Sequence, residues 1–146
     1  MKTKLLQPGP AKIWAVVFDA DEEAVSGLTR AAKQEGMNGS TFTAIGALKE
    51  ATVGYFERDK RDYLQIPVNE QVEVLSLVGN IAIHDGEPKL HAHVVLGKRD
   101  GSTVGGHLLK AHVWPTLEVM VTESPGELRR TFDEESQLPL INLDAG

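Results

Sequence analysis

Histidine is the residue type in this sequence best suited to chemistry, because the 146-residue chain has five His and no Cys. Two of them, His91 and His93, are one residue apart inside Leu90–Gly97, an apolar segment typical of a strand. Side chains alternate along a strand, so both imidazoles project from the same face. Neutral imidazole is a good zinc ligand, and three protein ligands plus water form the usual open zinc site. The pair therefore predicts either two ligands of one metal ion or two polar residues on the solvated face of the strand.

His107, which follows Gly105-Gly106, is the predicted third ligand. If Asp100-Gly101 formed a two-residue hairpin turn, His107 would face Val94 and point away from the first two histidines. A loop with an odd number of residues would reverse that parity, and so would a bulge at Gly105-Gly106. We hypothesise that the two glycines re-aim His107 toward the site.

Two glutamates lie in apolar strand segments. Glu118 stands between Leu117 and Val119, where it could face the site as a ligand or as an acid/base group, or occupy an exposed face. Glu73 has the same ambiguity. His84 and His112 are expected at the surface or behind the ligands rather than on the metal. The catalytic candidate is therefore Glu118, and the sequence assigns it no definite role.

The composition excludes several function classes. The chain has 15 Lys and Arg against 21 Asp and Glu, a net charge of −6, which works against binding nucleic-acid phosphates. No nucleotide-binding glycine loop, serine nucleophile elbow or zinc-finger spacing is present, and we identify no DNA-binding residue. The first ten residues lack the apolar region of a signal peptide, and no apolar run reaches the ~20 residues of a membrane helix. We expect a cytoplasmic protein with no membrane partner.

The elements that must position the histidines form one domain over residues 1–146, with a core of about 11–122 and a C-terminal extension of 123–146. The fold class predicted is α+β, with about seven strands and one main helix. Asp19 and Glu22 are spaced as a capping box, Glu23–Glu35 has helical spacing, and Gly36 is placed to end the helix.

The rest of the chain favours strands. Leu108–His112 fits a short helix or a strand, and Val72–Ile83 is expected to bend at Gly79. The extension is expected to pack a few apolar side chains and then fray. The other predicted strands are Ile13–Phe18, Phe42–Leu48, Thr52–Phe56, Asp62–Ile66, Leu90–Gly97 and Thr116–Thr122.

Five blocks, in order and spacing over about residues 11–122, resemble the PPC (plants and prokaryotes conserved) domain family. The blocks are Phe42–Ala47, Val72–Ala82, His91–Gly97, Gly105–Leu108 and Val113–Val119. The resemblance implies a curved, mainly antiparallel sheet that assembles as a homotrimer. It also implies a fold similar to that of acetolactate decarboxylase, whose members hold zinc with three histidines, two of them as His-x-His. His91, His93 and His107 stand at the matching positions, and Glu118 matches an acidic position of the family.

The resemblance leaves three hypotheses about function. The first is a metal-binding homotrimer with a small-molecule site at the histidines, holding zinc or another divalent transition metal. The second is a DNA-binding or transcription-associated protein, as in plant members that carry an AT-hook; this sequence has no AT-hook. The third is a protein-interaction module. The plant Gly-Arg-Phe-Glu-Ile-Leu block tied to partner contacts is matched only in its later part, at Glu70–Leu75.

Overall fold

The computed structural model describes residues 1–7, 9 and 11–145, so Gly146 of the predicted extension lies outside the described residues. This part of the chain is mostly antiparallel sheet with a single helix, which confirms the α+β class. None of the described residues form a helix long and apolar enough to cross a membrane. In chain order, the elements are β1 (Lys2–Gln7), β2 (Ile13–Phe18), α1 (Ala24–Glu35), β3 (Gly39–Glu57), β4 (Asp62–Val68), β5 (Val72–His84), β6 (Glu87–Gly97), β7 (Thr103–Glu123), β8 (Arg130–Asp133) and β9 (Leu138–Ile141).

Seven strands form one sheet in the order β1-β2-β7-β6-β5-β3-β4. β7 also pairs with β3, so β7, β6, β5 and β3 close into a ring. This closure is possible because β3 and β7 have 19 and 21 residues and pair with different strands along their length. Phe42–Leu48 and Thr52–Phe56, predicted as two strands, are both parts of β3. The undecided segment Leu108–His112 is part of β7.

The core lies inside this ring and under the helix. Alternate residues of the strands are buried, as on β2, where every second side chain faces the core. The largest fully buried side chains include Phe18, Leu28, Met37, Leu48, Leu77, Ile81, Leu96 and Leu117.

The N-cap of the helix lies four residues after the one that the capping-box pattern predicts. Glu23, not Asp19, is the N-cap, and its carboxylate accepts hydrogen bonds from the backbone N–H groups of Val25 and Ser26. The same carboxylate accepts the N–H of Ala111 on β7, so the cap also ties the helix to the sheet. Gly36, at φ 68°, ends the helix as predicted.

Two expectations about irregular structure are wrong. β5 changes register between Val74 and Ser76, and its pairing runs evenly through Gly79. Gly79 instead allows the ring of Phe42 and the backbone of His91 to pack against β5, because a Cβ at this position would overlap that ring and the carbonyl oxygen of His91. The C-terminal extension does not fray after a few contacts: β8 and β9 pair as a hairpin. The hairpin turn is held by Asp133, whose carboxylate accepts from the backbone and hydroxyl of Ser136.

Candidate metal centre

The loop between β6 and β7 decides where His107 points. The N–H of Lys98 donates to the carbonyl of Ser102 at 2.8 Å, and the N–H of Gly101 donates back to Lys98 at 3.0 Å. Arg99-Asp100-Gly101 is therefore a three-residue loop, with Gly101 at φ 82°, the left-handed conformation that this type of hairpin needs. The odd loop length places His107 directly opposite His93. Of the two alternatives left open by the sequence, the odd-residue loop is the one that the structure contains.

Gly105 and Gly106 do not form the bulge that our hypothesis required, because the pairing of β6 with β7 runs without a register shift. Their role is to let the backbones of β3, β6 and β7 come close together. A Cβ on Gly105 would lie 2.7 Å from the carbonyl oxygen of Val94, and one on Gly106 would lie 2.6 Å from that of Gly54. The glycines thus allow β7 to pack tightly between β6 and β3 at the position of His107.

Three imidazoles converge on the outer face of the ring of strands. His91 and His93 project from the same face of β6, as predicted, and His107 approaches from β7. One ring nitrogen from each residue lies within 4.8 Å of the others, and the Nε2 atoms of His91 and His93 are 3.2 Å apart. The ring centroids are separated by 5.1 to 5.4 Å.

These separations suit a tetrahedral ion. Two nitrogens at 2.0–2.1 Å from one zinc ion are about 3.3 Å apart in tetrahedral geometry. The His91–His93 pair already has that spacing, at 3.2 Å. The third nitrogen, from His107, lies within 4.8 Å of the other two. A zinc ion held by these three nitrogens would have one of its usual four positions free for another ligand.

Tyr63 on β4 supports the ring of His107, and no sequence pattern pointed to this residue. The two rings stack, with centroids 4.6 Å apart and planes inclined by 29°. The Tyr63 hydroxyl lies 3.5 Å from Nδ1 of His107. A polar partner at Nδ1 favours the use of Nε2 for a metal ion and fixes the orientation of the ring. Gly54 makes room for this contact, since a Cβ there would lie 2.8 Å from Cδ1 of Tyr63.

Burial disfavours the protonated form of two of the three imidazoles, His91 and His107. Burial, followed by the neighbouring charges of His91 and His93, lowers the pKa of His107 to about 4. Burial, followed by the charges of Arg130 and His93, lowers the pKa of His91. A neutral imidazole has a free lone pair, and a proton must leave before a metal can bind. At neutral pH His91 and His107 are therefore in the form that a metal needs.

The other residues singled out in the sequence lie elsewhere. Glu118 is exposed on β7, opposite Val17 and Ile45, and is not part of the histidine group. His112 contacts the carboxylate of Glu50 at 2.8 Å. Glu73 is exposed, and Nδ1 of His84 lies 3.4 Å from the backbone carbonyl oxygen of residue 130. Of the predicted site residues, the structure brings together His91, His93 and His107.

Arg130 is the second residue added by the structure, since its sequence context is typical of an ordinary charged surface. It comes from β8 in the C-terminal extension and lines a cavity with His91 and His107. In the sequence it is one of two adjacent arginines in a charged tail, and nothing in that pattern marks it as buried.

Comparison with protein families matches residues 6–125 to the Plants and Prokaryotes Conserved (PCC) domain, the PPC domain of the sequence analysis. The chain belongs to this family. A crystal structure of a metal-containing protein from Archaeoglobus fulgidus is 32% identical over 97% of this chain and 96% of its own, with a TM-score of 0.83. A proposed DNA-binding protein from Bacteroides thetaiotaomicron is 26% identical over 97% of this chain and 98% of its own, with a TM-score of 0.87.

A more distant likeness concerns the fold alone. A Staphylococcus aureus protein of unknown function, similar to α-acetolactate decarboxylase, has a TM-score of 0.58 at 14% identity. It covers 83% of this chain and 53% of its own. The likeness agrees with the fold expected for the family. No match was found among curated proteins.

Proposed function

We propose that this PPC-family protein is a cytoplasmic, homotrimeric metal-binding protein in which His91, His93 and His107 hold one divalent transition-metal ion, with zinc as the first choice. The observation that carries the proposal is the convergence of three imidazoles from two strands, with one ring nitrogen of each within 4.8 Å of the others. Perturbed titratable groups that cluster in one place are typical of functional sites, and the pKa values of His91 and His107 are both lowered here. The relative from Archaeoglobus fulgidus, described as metal-containing, supports the same conclusion.

The donor set fits an open site better than a closed structural one, because structural zinc sites have four protein ligands. An ion held by three imidazoles supplies a Lewis acid to an oxygen of a small molecule. The chain's own residues would hold that ion and shape the space beside it. Tyr63 fixes the ring of His107, and the tight β6–β7 pairing fixes the distance between His93 and His107.

The trimeric part of the proposal is supported by the family resemblance and by an apolar patch beside the site. Leu75, Val78 and Val95 on the outer face of β5 and β6 are 54%, 48% and 42% exposed. Val78 pairs directly with His93 across the strands. An apolar patch on one face favours contact with a second copy of the chain. Each metal site would then lie near a subunit boundary.

Metal content tests the proposal most simply. Purified, untagged protein would be reconstituted with zinc, desalted and measured by inductively coupled plasma mass spectrometry. We expect about one zinc per chain in the wild type and almost none in the His91→Ala, His93→Ala double variant. His112→Ala is the matched control, because this histidine lies on β7 outside the group, and it should keep its zinc. Zinc-free protein in all three samples would reject the proposal.

DNA binding is the alternative that the Bacteroides relative raises. A formal charge of −6 opposes it, because DNA affinity relies on cations that neutralise phosphates. Fluorescence anisotropy with a labelled DNA duplex at low salt would decide. We expect no saturable binding. Saturable binding that falls steeply with salt and survives loss of the histidines would favour the DNA-binding role. A pull-down that yields one stoichiometric protein partner would favour an interaction module instead.

A further inference from the structure

A cavity of about 230 Å³ opens beside the histidines and ends at the C-terminal hairpin. His91, His107 and Tyr63 line one side, and Leu138–Leu140 of β9 line the other. Its volume is below the ~300–1,000 Å³ of pockets that hold drug-sized ligands. The space therefore suits a molecule of a few carbon atoms and is too small for a nucleotide. The apolar walls suit a carbon skeleton.

Arg130 is a buried cation in the wall of this cavity. Its side chain is only 8% exposed. One guanidinium NH₂ group donates to the carbonyl oxygen of Pro139 at 3.1 Å, and the other donates to Oδ1 of Asn80. Both acceptors are neutral, and the Nε–H group has no partner. Within the described part of the chain, no carboxylate forms an ion pair with Arg130.

A buried charge of this kind is stable only when a partner compensates it. Burial lowers the pKa of Arg130, but an arginine this basic stays protonated. The cavity also contains Lys89, and none of its described lining residues is acidic. A metal ion on the histidines would add two further positive charges. The compensating group that the protein lacks is therefore an anion supplied by the ligand.

We propose that this cavity binds a small carboxylate, with its carboxylate on Arg130 and its remaining carbon skeleton against Tyr63, Leu138 and Leu140. Arginine is suited to this role because its planar guanidinium donates parallel hydrogen bonds to a carboxylate. The proposal rests on the proposed function only for the metal end, where a second oxygen of the ligand would be available to the ion held by the histidines. The carboxylate end depends on Arg130 and needs no metal.

The test is calorimetric titration of zinc-loaded protein with 2-oxobutyrate, a short acid that carries a second oxygen. We expect saturable binding, one molecule per chain. The Arg130→Met variant should bind about 30-fold more weakly or worse, the usual result when one partner of a buried charge pair is removed. Its zinc content should be unchanged. Arg129→Met is the matched control, because that neighbouring arginine is 45% exposed and pairs with Glu127; it should bind normally.

A ligand comparison keeps the test independent of folding, because Arg130 also ties β8 to β9 and β5. Butanone keeps the carbonyl of 2-oxobutyrate and lacks the carboxylate, so it should bind the wild type at least about 30-fold more weakly. Arg130→Lys keeps the charge and should retain more affinity than Arg130→Met. Equal affinity of 2-oxobutyrate for wild type and Arg130→Met would overturn the proposal. So would tighter binding of inorganic phosphate than of 2-oxobutyrate.

The two proposals can fail separately. Zinc-loaded wild type that shows no saturable binding of 2-oxobutyrate would overturn the carboxylate site and leave metal binding intact. If the protein takes up no zinc, the titration is made on the zinc-free protein. Binding that Arg130→Met weakens would then support the carboxylate site, and no binding would overturn it.

Discussion

Gly106→Ala should damage both the fold and the metal site. The new Cβ would lie 2.6 Å from the carbonyl oxygen of Gly54, whereas ordinary contact begins at 3.4 Å. Both groups belong to the backbone of paired strands, so β3 and β7 would have to separate by about 0.8 Å. Overpacking of this kind costs about 1–3 kcal/mol. For a chain of this size, that is a fall in Tm of roughly 3 to 10 °C.

The same displacement should reach the ligands, because His107 is the next residue and pairs with both His93 and Gly54. Metal sites tolerate deviations of only about 0.2 Å. We therefore expect zinc affinity to fall roughly 10- to 100-fold, as when groups that orient metal ligands are altered. Thermal unfolding of the zinc-free protein and competition with a zinc chelator measure the two effects.

Gly126→Ala is the control for this experiment, since a Cβ there meets nothing within 4 Å. It should leave Tm and zinc affinity within error of the wild type. If Gly106→Ala were as stable as Gly126→Ala and bound zinc equally well, the close approach of the strands would not be what positions His107.

Three further outcomes are expected. In the zinc-free protein the pKa of His107 is about 4, against an ordinary 6.5 when unfolded, so the unfolded state binds more protons between these values. Protonation of His107 in the unfolded state therefore lowers the free energy of unfolding as the pH falls from 6.5 to 4, and this loss is absent above pH 6.5. Because the ring is half-buried, screening reduces the loss to about 1–2 kcal/mol. Urea unfolding at pH 7 and 4.5 should show this loss of stability in the wild type and a smaller loss in His107→Asn. Equal losses would mean that His107 is not the group responsible. Val95→Glu should reduce the assembly mass measured by light scattering, because it puts a charge in the apolar patch, while Leu143→Glu, at an 86% exposed site, should not. Tyr63→Phe keeps the stacked ring and should lower zinc affinity less than tenfold, whereas Tyr63→Ala should lower it more. Equal zinc affinities of the two variants would mean that the stacking is unimportant.

The sequence was sufficient for the parts of the fold that depend on local pattern. The apolar run Ile13–Phe18 is β2 with the same bounds, and Gly36 ends the helix as its conformational freedom predicts. His91 and His93 share a face because alternation along a strand needs no tertiary information. These features are decided by residues that are neighbours in the chain.

What the sequence could not decide depends on long-range contacts. The partner of His107 is set by a three-residue loop, and the turn residues Asp100-Gly101 fit two-residue and three-residue loops equally well. Glu23, not Asp19, is the helix cap, and its carboxylate also accepts a hydrogen bond from Ala111, nearly ninety residues away in the chain. Tyr63 and Arg130 come to the histidines from β4 and β8. The closure of β7 on β3 brings β4 close to His107, and contacts with β5 hold β8 beside His91.

The most direct test of the metal site is a crystal structure of the zinc-loaded protein with anomalous data collected on both sides of the zinc absorption edge. We expect one zinc peak per chain, with a ring nitrogen from each of His91, His93 and His107 at about 2.0–2.1 Å from the ion. A zinc ion bound elsewhere, or no anomalous peak at the three histidines in zinc-saturated crystals, would contradict it.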